Sequence, residues 1–391
     1  MYPILTVVDE LASDERRTIN DERPTSEPET GTEQRVSTES SSAIHRPSSS
    51  VAFRYVGEAG GAEEELTRRA GIPFSAIETG QIRGLGLKVA AGSLLRMRRG
   101  AAQCSAILRE FRPDVVFLTG GYVSAPVALA AWRAHVPVLI YLPDVTPGQS
   151  IQWTSWLADR VAVSFPEVAR YFGSKAVVTG YPVRAELTKT RRADARSALG
   201  LADSLPVLVV MGGSRGARSI NRAVEAALPA LLPCCQVVHI SGRLDWPAVE
   251  EAAKHVPEAM AGRYHAHPYL HEMPLALAAA DLVVARAGAA TLGEFPAVGL
   301  PSILVPYPYS GQHQEANAAY LTERGAALTL RDNELETRLG STVLEMLGTP
   351  ERLAAMAGAA KALALPDAAA NIARELRQLA ERRRSTSRAA R

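Results

Sequence analysis

The sequence predicts an α/β protein built from two Rossmann-like domains that face each other across a cleft. Short, continuously apolar runs rich in Val, Ile and Leu alternate with helical stretches, the pattern of parallel strands buried on both faces. That alternation runs once from Val51 to Gly180 and then restarts, with a joint near Tyr181 to Thr188. The chain has 391 residues, enough for two ordinary domains. Hydrophobic residues make up 47% and charged residues 21%, so a sizeable core is available.

In chain order, the first eleven residues, MYPILTVVDEL, read as a short apolar helix. From Ala12 to Ser50 the chain is Glu, Arg, Ser, Thr and Pro with almost no large apolar residue. Such a segment cannot offset its ordering entropy by burial and is expected to be a disordered insertion. Structure resumes with the alternating strand VAFRYVG at Val51, a helix over Glu63 to Ala70, the strand PFSAI, and a helix from about Gly86 to Phe111. The strand DVVFLTGG, the helix SAPVALAAWRA, the strand PVLIYL, the helix IQWTSWLAD and the strands RVAVSF and AVVTG complete the first array. The second array begins with VLVVMGG, then the helix SINRAVEAALPALL and the strand QVVHISG. YHAHPYL, the helix MPLALAAA, the strand DLVVAR, the helix TLGEFPAVG and the strand SILVPYP follow. An amphipathic helix from about Asp367 to Arg383 is free to dock on either domain.

Composition narrows the function. The formal net charge is +2, which does not argue for nucleic acid, although SLLRMRRG (Ser93 to Gly100) and the tail RRRSTSRAAR from Arg382 are locally basic. Cys104, Cys234 and Cys235 form neither a disulfide framework nor a CxxC zinc pair, and a reducing cytosol is the simplest setting. Charge arrives at Asp9 and Glu10 before any long apolar run is complete, so no signal peptide is expected. The most apolar region, Tyr122 to Leu142, is broken by Arg133 and His135, and any membrane contact should be peripheral.

Four segments carry chemistry. MGGSRGARSIN (Met211 to Asn221) follows a buried strand and opens a helix; Gly212, Gly213 and Gly216 permit a tight turn whose amides converge on a phosphate, and Ser214 adds a hydroxyl. The same glycines suit a plain strand–helix turn. In ARAGAATLGEF (Ala285 to Phe295), small residues admit a ligand to the backbone. Glu294, one turn inside the helix, matches a ribose diol with its two oxygens, or is a solvated helix Glu. SGQHQEANA (Ser310 to Ala318) sets Gln312, His313, Gln314 and Asn317 past the carboxyl end of a buried strand, where open α/β sheets bind ligands; His313 fits an ordinary loop histidine better than a catalytic one. TGGYVSAP (Thr119 to Pro126) is a second anion-accepting helix start, in the opposite domain. Arg184, in GYPVR, sits at the joint and suits either a diphosphate or a structural bridge. Between Gly80 and Gly100, Ile82, Leu85, Leu87, Leu94 and Leu95 stand among Arg83, Lys88, Arg96, Arg98 and Arg99. That mixture suits an anionic membrane surface, and equally a core helix with a solvated basic face.

Together and in this order, TGGYVSAP, GYPVR, GGSRGARSIN, RAGAATLGEF and GQHQEANA resemble the MurG family, from about Val51 to the C-terminal helix and over the first eleven residues. These are bacterial transferases that add N-acetylglucosamine from UDP-GlcNAc to undecaprenyl-diphospho-muramoyl-pentapeptide (lipid I), making lipid II. The resemblance implies a GT-B fold and an inverting reaction with no cofactor or essential bound metal, on the cytoplasmic face of the bacterial cell membrane. Residues 1–184 would be the acceptor and membrane-facing domain, 185–366 the UDP-sugar domain, and 367–391 a C-terminal helix and basic tail. Arg184 and Ser214 would contact the donor diphosphate, and Leu270 would hold the uracil through its backbone. Ala289, Ala290, Thr291, Leu292, Gly293 and Glu294 would bind phosphate and ribose, and Gln314 the sugar hydroxyls. Asp144 and Asn221 complete the UDP-GlcNAc set, while Gly121 and Tyr122 would line the acceptor side.

Two departures stand out. Where the family shows His-Glu-Gln-Asn, this chain has Tyr141-Leu142-Pro143-Asp144, and Ile151 replaces a later Asn. An ionised Asp144 accepts but does not donate hydrogen bonds. The family also opens with a strand and a GGTGGH loop before Tyr-Pro or Phe-Pro; this chain begins Met1-Tyr2-Pro3, so the proposed catalytic His would precede Met1. Either the reading frame continues upstream of Met1, or a chain starting here lacks a central strand and a phosphate site and is unstable or inactive. The alternatives in function are a non-catalytic UDP-sugar-binding homologue and another GT-B lipid glycosyltransferase. A UDP-sugar epimerase would need a set of acid/base residues that nothing here supplies.

Overall fold

The structure, a computed structural model, describes residues 2–21, 51–79, 87–213, 216–309 and 313–389. The N-terminal half opens with α1 (Tyr2–Asp21). Two parallel strands, β1 (Tyr55–Gly57) and β2 (Phe74–Ala76), flank α2 (Ala62–Arg69). After α3 (Leu87–Phe111) come β3 (Val116–Leu118), α4 (Ser124–Arg133), β4 (Val138–Leu142), α5 (Gln149–Thr154), β5 (Arg160–Val163) and β6 (Ala176–Val178). β3 to β6 pair in that order as a parallel sheet. β4 is buried along its whole length because helices cover both faces, which is why VLIYL carries no polar alternation.

The joint leads through α6 (Ala185–Lys189) and α7 (Arg192–Ala198) into the C-terminal half. There β7 (Val207–Met211), α8 (Arg218–Leu231), β8 (Gln236–Ile240), α9 (Trp246–Lys254), α10 (Glu258–Ala261), β9 (Tyr264–His267), α11 (Met273–Ala279) and β10 (Leu282–Arg286) alternate. α12 (Thr291–Val298), β11 (Ser302–Val305), α13 (His313–Glu323) and β12 (Ala327–Thr329) continue the alternation, before α14 (Leu335–Leu347), α15 (Pro350–Ala362) and α16 (Ala368–Ala389). The sheet order is β12-β11-β10-β7-β8-β9, all parallel. The chain winds outward from β7 in one direction and from β10 in the other, so their carboxyl ends flank the crevice in which doubly wound sheets bind ligands. Val207, Leu208, Val209, Val210, Leu282, Val283 and Val284 are fully buried there, each worth about 1.5–3 kcal/mol of burial.

α16 returns across the joint and packs on the N-terminal half. Its Ile372, Ala373, Leu376 and Leu379 form one apolar stripe that joins Val7 and Leu11 of α1 with Leu139, Tyr141 and Ala162. Asp114 accepts from Arg384 at 2.6 Å and the Thr179 carbonyl from Asn371 at 3.3 Å, tying down both ends.

Three sequence expectations shift. The first helix runs to Asp21, ten residues into the stretch expected to be disordered, because Glu15, Arg16 and Arg17 favour a helix locally without any need for burial. The rest of that stretch, 22–50, lies outside the described residues. The strand at Val51 begins at Tyr55, and the helix expected over IQWTSWLAD ends at Thr154.

Candidate donor-binding site

The two Gly-containing motifs come together at the switch point. Met211, the last residue of β7, pairs in register with Ala285 of β10, so the turn from Gly212 to Ala217 and the loop from Ala287 to Ala290 leave neighbouring strands side by side. Gly213 and Gly216 adopt positive φ (83° and 81°), and the Gly216 N–H donates to the Gly213 carbonyl at 3.0 Å. Ser214 lies outside the described residues, as does Gln312.

The second loop ends in α12. Thr291 N–H and Oγ1 both donate to the Gly288 carbonyl (3.0 and 2.8 Å), and the Glu294 N–H donates to the Ala290 carbonyl at 2.8 Å. The amides of Ala289 and Ala290 have no protein acceptor among the described residues, which leaves two donors at a helix start. Leu292 and Thr291 are buried. Gly293 has no room for a side chain: a Cβ there would lie 2.1 Å from the Tyr181 ring. That contact seats α12 directly on the joint, and Tyr181 in turn packs edge-on against Tyr141 of β4.

Arg184 and Glu294, 110 positions apart in the chain, face each other with Nη2 and Oε1 separated by 3.9 Å and side chains only 20% and 12% exposed. Burial pushes the Glu294 carboxyl above its ordinary value, and the Arg184 guanidinium partly offsets it. A cation and a carboxylate beside free helix-start amides suit a nucleoside diphosphate: positive groups for the phosphates, paired acceptor oxygens for a diol. Leu270 follows β9; its backbone N–H and C=O make no bond among the described residues, as a base-binding amide would require. Gln314, in the first turn of α13, accepts from the Tyr307 N–H at 2.9 Å, which leaves its amide NH2 available.

The remaining candidates divide. Asp144 reaches this group: its Oδ1 accepts from Asn317 Nδ2 at 2.8 Å, and burial raises its carboxyl above the ordinary range. Asn221 is buried and fully engaged by protein. Its Nδ2 donates to the Ser241 carbonyl (2.9 Å) and to Asp245 (3.1 Å), and its Oδ1 lies 3.0 Å from His239 Nε2. It therefore braces the Gly-rich turn from behind. Gly121 and Tyr122 stand on the opposite half; Ser150 Oγ donates to the Gly121 carbonyl at 2.8 Å, and Tyr122 is 52% exposed. Of the segment weighed for a membrane surface, the side chains of Ile82, Arg83, Leu85, Leu87, Lys88, Leu94 and Leu95 lie outside the described residues, while Arg96, Arg98 and Arg99 are exposed.

Sequence reasoning did not find the support behind the turn. Arg286, at the end of β10, pairs with Asp332 and donates to Ser219 Oγ at 2.7 Å, clamping α8 to the neighbouring loop. His239 is buried between Asn221 and Tyr264, whose hydroxyl lies 2.8 Å from Nδ1, and burial lowers its pKa to about 4. A histidine neutral in the fold and protonated when unfolded stabilises the fold fully above the unfolded value of about 6.5 and loses that contribution as pH falls toward 4. Denaturant titrations from pH 7.5 to 4.5 are expected to show the native chain losing up to about 3 kcal/mol more than His239→Gln over that window. Parallel curves for the two proteins would refute it.

Residues 46–163 match the glycosyltransferase family 28 N-terminal domain and residues 207–372 the glycosyltransferase family 28 C-terminal domain. The chain is 41% identical over 372 residues to the UDP-N-acetylglucosamine–N-acetylmuramyl-(pentapeptide) pyrophosphoryl-undecaprenol N-acetylglucosamine transferase of Roseiflexus sp. (strain RS-1), covering 85% of this chain and 84% of the relative. The transferase of the same name from Desulforudis audaxviator (strain MP104C) is 42% identical over 335 residues, covering 83% and 90%. Among solved structures, MurG of Acinetobacter baumannii superposes with a TM-score of 0.68 at 23% identity, covering 96% of this chain and 95% of that one. A putative UDP-N-acetylglucosamine 2-epimerase from Listeria monocytogenes superposes at 0.59 with 16% identity, covering 82% and 86%. These two likenesses speak for the fold, which is GT-B.

Proposed function

The chain belongs to the UDP-N-acetylglucosamine–N-acetylmuramyl-(pentapeptide) pyrophosphoryl-undecaprenol N-acetylglucosamine transferases of glycosyltransferase family 28, and we propose on that ground that it transfers N-acetylglucosamine from UDP-GlcNAc to lipid I, forming lipid II for peptidoglycan. Identity of 41% over most of both chains carries this reading. The site supports it. Arg184 and the free amides of Ala289 and Ala290 meet the diphosphate, Glu294 the ribose, the Leu270 backbone the uracil, and Gln314 and Asp144 the sugar. In the inverting displacement the acceptor hydroxyl oxygen bonds to the anomeric carbon and gives up its proton to a base or to water, as the bond to the diphosphate breaks and UDP departs. Arg184 and the helix-start amides stabilise the charge that grows on the departing UDP. Gly121 and Tyr122 face the acceptor from the other half. UDP release that requires both UDP-GlcNAc and lipid I, with lipid II identified by mass, is the expected result; tight UDP binding with no turnover would instead support a binding-only protein.

The acceptor is a lipid, and the N-terminal half offers a surface for it. No helix among the described residues is long and apolar enough to cross a membrane. Trp153 and Trp156, at and just past the end of α5, are 78% and 83% exposed, and α5 packs against α4, which carries the half-exposed Trp132. Indoles favour the headgroup boundary of a bilayer, where one end is apolar and the other wet. Lys175 donates to the Trp156 carbonyl at 3.1 Å and adds positive charge beside them. This arrangement supports a peripheral enzyme that rests its N-terminal half on the anionic, cytoplasmic face of the cell membrane. The double variant Trp153→Ser/Trp156→Ser is expected to bind vesicles containing anionic lipid at least about tenfold more weakly. Unchanged vesicle binding would move the contact elsewhere.

A further inference from the structure

The helix that begins with the sugar-side residues also joins the two halves. His313, Asn317 and Tyr320 of α13, and Arg324 one residue past its end, recur at spacings of four, three and four and so lie along one stripe. Each of them meets the N-terminal half. His313 Nδ1 lies 3.0 Å from Thr146 Oγ1, the Tyr320 ring packs on Phe165 with centroids 4.3 Å apart, and Arg324 pairs with Glu167.

Asn317 is the tightest point of this seam. It is fully buried, and its amide uses every kind of bond it has. Oδ1 accepts from the Val145 N–H at 3.1 Å, while Nδ2 donates to Asp144 Oδ1 at 2.8 Å and to the Ala287 carbonyl at 3.1 Å. Val145 and Asp144 belong to the N-terminal half; Ala287 opens the small-residue loop of the donor site. One amide thus ties that loop, the start of α13 and the opposite half together. An acceptor and two donors in so short a side chain are found only in asparagine.

We propose that Asn317 is a positioning residue for the donor sugar: it holds Asp144 against α13 so that Asp144 and Gln314 form one sugar-facing wall across the two halves. The proposal rests on the reading of the chain as a UDP-GlcNAc transferase. It has a consequence that a purely structural role lacks. Of the nucleotide-side groups, Leu270, Glu294 and the Gly-rich turn belong to the C-terminal half, and Arg184, at the joint, pairs with Glu294 and makes no bond to Asn317, whereas Gln314 and Asp144 stand on opposite sides of the seam. Loosening the seam therefore costs affinity for the sugar and largely spares affinity for the nucleotide.

Calorimetric titration of the full chain with UDP and with UDP-GlcNAc tests this. Asn317→Ala is expected to weaken UDP-GlcNAc roughly tenfold and UDP, which feels only the lost Ala287 bond, by no more than about threefold. Asn317→Asp keeps the acceptor for Val145 but sets two carboxyl groups against each other, and should lose at least as much. The exchange Asp144→Asn with Asn317→Asp re-forms the bond with donor and acceptor reversed, and is expected to recover most of that loss. Thr146→Val, which removes only the His313 bond at the rim, should shift UDP-GlcNAc about threefold in the same direction and covers the case of an unfolded Asn317 variant. Equal losses for UDP and UDP-GlcNAc, or no recovery in the exchange, would overturn the proposal while leaving the parent reading intact. A native chain that binds UDP but gains nothing from the sugar overturns both.

Discussion

Gly216→Ala is expected to cost at least about 100-fold in UDP affinity and to leave the two halves folded. Two penalties coincide at this residue. Its φ of 81° lies in the left-handed region, where an alanine costs about 1 kcal/mol. A Cβ would also stand 2.2 Å from the Ser241 carbonyl oxygen, well inside any contact distance. Ser241 cannot retreat, because its carbonyl accepts from Asn221 Nδ2 and its N–H donates to the His267 carbonyl at 3.0 Å. The turn itself must move. Amides that converge on a phosphate lose their bonds over a fraction of an ångström, and two charge-assisted bonds at about 1.5–3 kcal/mol each account for the loss. Gly262→Ala is the control: φ there is −70° and nothing approaches the position of a Cβ, so binding and melting should be unchanged. Native UDP affinity in Gly216→Ala would remove the turn from the phosphate site.

How far the sequence carries depends on whether a signal is local. The strands of the C-terminal half are legible almost to the residue: VLVVMGG yields Val207–Met211 and DLVVAR yields Leu282–Arg286, because burial on both faces writes a continuous apolar run. VAFRYVG yields only Tyr55–Gly57, a short strand paired with one neighbour, where alternation says little about length. The helix at IQWTSWLAD stops at Thr154, short of the end of the apolar run: Trp153 and Trp156 are exposed, and an apolar count cannot distinguish an exposed indole from a buried one, so the run does not measure the helix. The stripe of α16 is visible in its spacing. The surface it covers is not, since Leu139 and Tyr141 lie more than 200 positions away.

The site divides along the same line. Glycines at strand ends and a Glu one turn into a helix are local patterns, and they locate the two loops of the switch point. The approach of Arg184 to Glu294, the brace of Asn221 and His239 behind the turn, and the reach of Asn317 into the opposite half are tertiary facts. Asn221 illustrates the difference: within GGSRGARSIN it looks like a ligand contact, and only the fold shows each of its polar atoms already bonded to protein.

Glu294→Gln carries the second large effect. If the carboxylate accepts both ribose hydroxyls, the native chain should prefer UDP to 2′-deoxy-UDP, since a buried group left without its hydroxyl costs about 1–3 kcal/mol. The variant keeps shape but loses charge, and one of its two former acceptor atoms becomes a donor. UDP affinity should fall about 10- to 100-fold, with most of the preference over 2′-deoxy-UDP gone. Part of the loss comes through Arg184, which is 20% exposed and would lose the charge of the carboxylate 3.9 Å away. The pH dependence has a definite sign. Burial raises the Glu294 carboxyl, so it takes up a proton at a higher pH than an ordinary Glu, and the ionised acceptor is lost as pH falls through that raised value. UDP affinity of the native chain should therefore drop more steeply on the acid side than that of Glu294→Gln, which keeps only the titration of the terminal phosphate of UDP. A variant that still discriminates 2′-deoxy-UDP, or that follows the same acid limb, would assign the ribose to another residue and leave Glu294 only its pairing with Arg184.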